Sequence, residues 1–521
     1  MPELKDIVSG SGPLREAARR AVADEVARAG GLSVYAQSIR RIDGGLLVIA
    51  RGDKGKRLGL IGPADGLPSL AGASPEGQQG LPDGLRLEVY AQSHPNAVAV
   101  RKALPDATPV TLGLDTSLGC GDRLGLAGPG HLHAVRGTGL RVVLAQQSIR
   151  EMTRTQRTPD QVVDAATWAV LQEGYAEGYG ADADHLKSPE DVDRTAAAGF
   201  VMFTIDPGDH VDNGADADNE AALQRKLAAL DWAALETTEA DCRRRYLDRT
   251  FDVGYGTVLR FEPNDLLRAA VKYGRAVAHT VAMGRHIAAV CGSSPFEIEM
   301  SVDETDSPTS VLEHYFVAAE LRRLGLPNLV SLAPRFIGEF EKGIDYKGDL
   351  DALDASIARH AAIARHCGPY KLSIHSGSDK FSVYPLVARH TDGLVHVKTA
   401  GTSYLEALRV IGAVAPTLFA EIYRFAYDRY DTDKATYHVS AVRDDVPRPE
   451  DLTPGQMPGL LDRDDTRQVF HVTFGSVLTE RADGGWRFRQ RLLAALDDHE
   501  TEHYAALARH LARHAAPFAR R

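Results

Sequence analysis

Cysteine is scarce in this chain: four residues in 521 (Cys120, Cys242, Cys291 and Cys367), scattered and without a CxxC pair. That spacing excludes a disulfide framework or a cysteine-rich zinc site and accords with a reducing cytoplasm. There is no basic excess either. Lys and Arg number 60 against 71 Asp and Glu, and a net charge of -11 argues against the basic face a nucleic-acid partner requires. It does not exclude a small anionic substrate. No uninterrupted apolar run approaches the roughly 20 residues of a membrane span. The opening "MPELKDIVSGSG" lacks the basic and apolar regions of a secretory signal. A Walker loop and a GxGxxG placed after a strand are both missing. What remains, 44% hydrophobic and 25% charged residues, is ordinary for a soluble globular protein. It is expected in the cytoplasm, without nucleic-acid or membrane partners, as one large domain with additions or as two to three. Homo-oligomers are compatible with it.

Two rhythms divide the chain. Up to about residue 105, "LSVYAQSI", "GGLLVIARG", "KRLGLIG" and "LRLEVYAQS" alternate like strands between Gly, Pro and Asp turns. This reads as a small α/β or β-rich N-terminal domain (1–105), with a loop over Gly62–Gly84. The pentapeptide VYAQS occurs at Val34–Ser38 and Val89–Ser93, which suggests two similar hairpins. From about residue 110 short apolar strands alternate with helices: "VTLGLDTS", "RVVLAQQS", "GADADHLK", "FVMFTIDPG", "FEIEMSVDET", "NLVSLAPRF", "YKLSIHSGS" and "GLVHVKTAG". Eight such units predict an α/β fold of the (β/α)8, TIM-like type over 106–430, with a doubly wound sheet as the alternative. A connection of about sixty residues after the fourth strand (about 207–265) is too long for a simple loop and reads as a helical insertion, a candidate lid. Residues 431–521 form a C-terminal extension, and its Arg/His-rich last helix reads as a solvated face.

Strand parity locates the chemistry. Alternate side chains of a strand point to opposite faces, and in such barrels catalysis sits at the carboxyl ends of the strands. In "FEIEMSVDE", Ile298, Met300 and Val302 oppose Glu297, Glu299, Ser301 and Asp303. Elsewhere Leu372 and Ile374 oppose Lys371, Ser373 and His375, while Val395 and Val397 oppose His396 and Lys398. Phe203 and Ile205 oppose Thr204 and Asp206. Burying such groups without partners costs several kcal/mol, on the order of 2–7 for each polar group, so they must satisfy one another or bind something. Glu297 and Lys371 read as a structural pair at the barrel bottom. His375, His396, Glu299 and Asp206 read as a functional set. "GADADHLK" adds Asp182, Asp184, His185 and Lys187. Adjacent Asp184 and His185 can share a site only if the strand curls at its end. Imidazoles with an oxygen ligand suit a divalent cation such as Mn, Co, Ni or Zn. "SGSDK", with Lys380, resembles an anion-binding loop.

Several long strings, among them "FEIEMSVDETDSPTSVLEHYFVAAELRRLGL", "VSLAPRFIGEFEKGIDYKGDL", "YKLSIHSGSDKFSVYP" and "HVKTAGTSYLEALRV", resemble the bacterial tagaturonate epimerases over about residues 110–480. The resemblance implies interconversion of D-tagaturonate and D-fructuronate with a divalent metal, and in some members action on fructose and tagatose. The inverted carbon is β to the ketone, so enolisation cannot reach its hydrogen. Retro-aldol cleavage and re-addition can. On that reading Asp184 and Glu299 serve as base and acid, and His185, His375 and His396 as metal ligands. Lys398, Asp206, Lys187, Arg335 and Ser376 hold substrate oxygens. A cleaving class II-like aldolase and a non-catalytic barrel that binds sugar acids are the alternatives.

Overall fold

The computed structural model describes residues 3–68, 70 and 74–519. Its centre is a barrel of eight parallel strands: β1 (Ser117–Gly121), β2 (Arg141–Ser148), β3 (Gly180–Leu186), β4 (Met202–Ile205), β5 (Glu297–Val302), β6 (Leu329–Pro334), β7 (Lys371–Ile374) and β8 (Val395–Thr399). The barrel closes in the order β4-β5-β6-β7-β8-β1-β2-β3. Ile298, Met300, Leu372, Ile374, Val395 and Val397 face the surrounding helices in one apolar core. Their neighbours in sequence, Glu299, Lys371, Ser373, His396 and Lys398, are equally buried but fill the interior.

The first strand differs from expectation. It is Ser117–Gly121, not the preceding "VTLGLDTS". Those earlier residues close the barrel bottom, where the N–H groups of Leu112 and Gly113 donate to the Glu297 carboxylate at 2.8–3.2 Å. Glu297 is thus held by backbone amides rather than directly by Lys371, whose ammonium donates to Ser117 Oγ at 3.1 Å and to the Asp115 carbonyl.

The N-terminal segment forms an antiparallel sheet, with Gly45–Gly52 pairing Gly55–Pro63 and that strand pairing Leu85–Tyr90. Strand Gly45–Gly52 is apolar on both faces. Leu46 and Val48 pack under helix Glu16–Gly30 through Val22 and Val26, while Leu47 and Ile49 join the barrel's core. The expected loop over Gly62–Gly84 contains an edge strand, Gly77–Leu81, and residues 69 and 71–73 of it lie outside the described residues. The two VYAQS copies do not make similar hairpins: one ends in a single turn, Ala36–Ser38, and the other leads into helix His94–Ala103.

The long connection after β4 holds helices Glu220–Ala228 and Glu239–Tyr246 and a hairpin, Thr250–Asp252 with Val258–Arg260. Tyr246 packs against Phe261, Tyr315 and Phe316 and donates to Glu320 at 2.7 Å. The excursion therefore clads the outer helices, and none of its residues lines the cleft at the barrel mouth.

After β8, helices Thr402–Val414, Pro416–Asp433, Asp464–Thr479 and Arg489–Asp498 share a second core. The last helix, Glu500–Ala515, is not simply a solvated face. His503, Leu507, Leu511 and His514 are buried while Arg509 and Arg513 stay exposed. Among the described residues no helix is long and apolar enough to cross a membrane.

Candidate active site

Three strand ends bring Asp184, His185 and His375 together, with one ligand atom of each within 4.8 Å of the others. β3 presents two adjacent residues to one side because it does curl. His185 adopts φ +54°, and the register between β3 and β4 slips there, so that Phe203–Ile205 spans three residues against four from Ala183 to Leu186. The extra residue of a bulge re-aims a side chain in this way. His185 Nδ1 faces Asp206 at 3.3 Å, leaving Nε2 3.9 Å from Asp184 Oδ2. The imidazoles of His185 and His375 meet edge to face, 5.1 Å between centroids.

The electrostatics favour positive charge. His375 lies between Glu299 (2.6 Å from Nε2) and Asp303 (3.1 Å from Nδ1). Burial opposes protonation, yet Asp303 and Glu299 carry the His375 imidazolium up to about 10. Against the same burial, Asp184, Asp206 and Asp303 raise His185 to about 9. Below them the Lys398 ammonium contacts Asp182 and Asp184 at 2.7 Å and Glu299 at 2.9 Å. Burial and the neighbouring carboxylates Asp184 and Glu299 push Asp182 up to about 6, with Lys398 opposing. Asp184 stays ionised: Lys398 and the two imidazoles outweigh its burial. Five carboxylates thus surround one buried ammonium and two imidazoles. Two imidazoles and a carboxylate, each imidazole backed by a further carboxylate, form a donor set that fits a divalent transition metal.

The other expected residues are placed as follows. His396 is not gathered into this group. It sits deeper on β8, wholly buried, with Nδ1 2.9 Å from Ser117 Oγ, and burial lowers its imidazole to about 3. Glu299 is sealed from the cleft: His375, Lys398 and Ser331 occupy its oxygens. Lys398 is a buried hub rather than an open cation. Lys187 is exposed and bonded to Asp209 at 3.0 Å. Ser376, at φ +49°, accepts from Lys342 at 2.6 Å, and Arg335 donates to the Thr305 carbonyl. Lys380 does not serve an anion loop. It is buried, donating to the carbonyls of Glu341, Ile344 and Ser378, while its neighbour Asp379 binds Arg467 at 2.7 Å and His510 at 2.5 Å.

A cleft of about 280 Å3 opens beside His375, lined by Asp303, Glu304, Arg335, Lys342 and Ser376 and by Tyr437 of the C-terminal extension. A smaller continuation reaches Asp184, His185 and Lys398, with Arg123, Arg150 and His471 on its walls. Arg123, Arg150, Lys342, Tyr437 and His471 were not singled out from the sequence. They come from loops and helices, where no alternation marks a side chain as inward.

The fold and this cleft define a (β/α)8-barrel enzyme with an imidazole–carboxylate centre at the strand ends. Residues 35–517 match the family described as UxaE, tagaturonate epimerase. The chain belongs to that family and so to the isomerases. It is 43% identical over 489 residues, 93% of this chain and 96% of the relative, to the tagaturonate/fructuronate epimerase of Thermotoga maritima. It is also similar to the crystal structures of fructuronate-tagaturonate epimerase UxaE from Cohnella laeviribosi, native and with glycerol. Both match with TM-score 0.88 and 36% identity over 96% of this chain and 99% of theirs.

Proposed function

We propose that this chain interconverts D-tagaturonate and D-fructuronate with the help of a divalent cation held by Asp184, His185 and His375. The observation that carries the reading is the convergence of those three side chains in a carboxylate-rich cleft, in a chain of this family. A cation bound there would polarise the hydroxy-ketone and stabilise the negative charge that develops as a carbon–carbon bond opens.

The inversion proceeds by retro-aldol cleavage and re-addition. A base takes the proton of the hydroxyl on the carbon to be inverted, and the bond to its neighbour breaks. The result is an enediolate and a three-carbon aldehyde that carries the carboxylate. The aldehyde turns, and the bond re-forms on its other face as an acid returns the proton. Glu299, with its oxygens occupied, orients His375 instead of touching substrate. The groups available in the cleft are Asp303 on the barrel wall, half-buried beside His375, and Tyr437 from the overlying extension. Burial keeps the Tyr437 phenol above its usual range and hence protonated, and against its own burial His375 keeps Asp303 ionised. Asp303 therefore serves as base and Tyr437 as acid, with solvent carrying the proton from Asp303 back to the Tyr437 phenolate between turnovers. Neutral ketohexoses fit the same chemistry without the charged end.

NMR of tagaturonate incubated with the metal-loaded protein tests this. Fructuronate should accumulate to an equilibrium mixture, with activity lost in Asp303→Asn. Accumulation of free three-carbon fragments would instead assign a cleaving aldolase, and binding without turnover a sugar-acid-binding barrel.

A further inference from the structure

Five lysine and arginine side chains line the two parts of the cleft: Arg123, Arg150, Arg335, Lys342 and Lys398. Three are neutralised. Arg123 pairs with Glu151 at 2.8 Å and Arg150 with Glu304 at 3.0 Å, while Lys398 is ringed by three carboxylates. Arg335 spends a guanidinium N–H on the Thr305 carbonyl and borders only the outer part. Lys342 is different. It is half-buried and borders both parts of the cleft. Its bond to the neutral Ser376 hydroxyl, 2.6 Å, places it one residue from His375. Asp303 and Glu304 feel its charge, yet among the described residues no carboxylate comes within ion-pair distance of it. An ammonium withdrawn from water and left without a counter-ion calls for an anion from outside.

We infer that Lys342 is the specificity residue for the substrate's carboxylate: it seats the charged end of the sugar acid while the hydroxy-ketone end faces His185 and His375. The inference rests on the keto-uronate reading above. The Ser376 hydroxyl orients the ammonium, and Ser376 itself lines both parts of the cleft.

The test compares Lys342→Met and Lys342→Arg with the parent enzyme. It reads the KM and kcat for tagaturonate and the inhibition constant of D-tagatose, which carries a hydroxymethyl group in place of the carboxylate. Loss of a charge-assisted hydrogen bond should raise the KM for tagaturonate about 10- to 100-fold with kcat within a few-fold of the parent. The D-tagatose constant should stay unchanged, and Lys342→Arg should recover most of the KM. A parallel weakening of both ligands would mean that Lys342 only supports the loop, and would overturn the inference. So would an unchanged KM, or a KM that responds to Arg335→Met but not to Lys342→Met. Inactivity of the parent enzyme on tagaturonate would sink the functional reading together with this one, whereas an active parent with an indifferent Lys342→Met sinks this one alone.

Discussion

Asp184 and His185 are neighbours in the chain and nevertheless face one cleft, with Oδ2 and Nε2 3.9 Å apart. The left-handed backbone at His185 makes this arrangement possible, a conformation that costs on the order of 1–3 kcal/mol and persists where its surroundings hold it.

If this pair and His375 form the cation site, replacing His185 or His375 by Asn should reduce the bound divalent metal to a small fraction of one ion per chain. Elemental analysis of the purified protein would show it. His396→Asn should retain the metal, because His396 bonds to Ser117 deeper in the barrel. Equal metal loss in all three variants would restore His396 to the ligand set.

Lys398 neutralises Asp182, Asp184 and Glu299. Lys398→Met removes the ammonium these carboxylates share, leaving Asp184 and Glu299 only their imidazole contacts and Asp182 no cation among the described residues. It should destabilise the fold by about 3–5 kcal/mol at pH 7, measured by urea unfolding. The loss should shrink at pH 5, where protonation relieves their repulsion. A variant as stable as the parent would show that the carboxylates find other partners.

The two glycines of β1 should respond differently to alanine. A Cβ at Gly121 would lie 2.7–2.9 Å from backbone atoms of Thr399 and Ala400, which cannot yield without moving β8. Gly121→Ala should therefore cost about 1–3 kcal/mol, read as a fall in Tm. At Gly119 the close atom is the amide end of Gln146, which can swing away, so Gly119→Ala should cost less.

The same glycines explain why the first strand begins later than the alternation predicts. "SLGCG" offers no alternation to read, because its neighbours leave no room for side chains. Of the other seven strands, β4, β5, β7 and β8 are legible through parity, with apolar residues outward and Glu299, His375 and Lys398 inward, and the rest through their apolar runs between helices. His375 is legible for the same reason, whereas the adjacent Asp184 and His185 share a side only through the curl at His185, which parity does not reveal. Lys342, Arg150 and Tyr437 are not legible, since loop geometry and tertiary packing direct them. Parity also could not tell how deep an inward residue sits, which is why His396 and Glu299 looked like cleft residues.

Asp379 fastens the loop after β7 to the C-terminal extension through Arg467 and His510. Burial raises its carboxyl, but Arg467 and His510 prevail and hold it well below the ordinary range. A carboxyl lowered in the folded state contributes stability above its unfolded pKa of about 3.9 and loses it as the pH falls further. Asp379→Asn should lower stability by about 1–3 kcal/mol at pH 7, because Arg467 loses its 2.7 Å carboxylate partner and keeps only Glu406 at 3.7 Å. The gap between the two Tm curves should narrow below about pH 4. Parallel curves down to pH 3 would refute this role.

Because Tyr437 and His471 form part of the cleft wall, the barrel by itself is an unfinished vessel. Excising it at residue 430, or grafting it onto a different tail, would discard part of the reaction chamber along with the appendage. Engineers who wish to retune this catalyst will have to treat its far end as part of the machine.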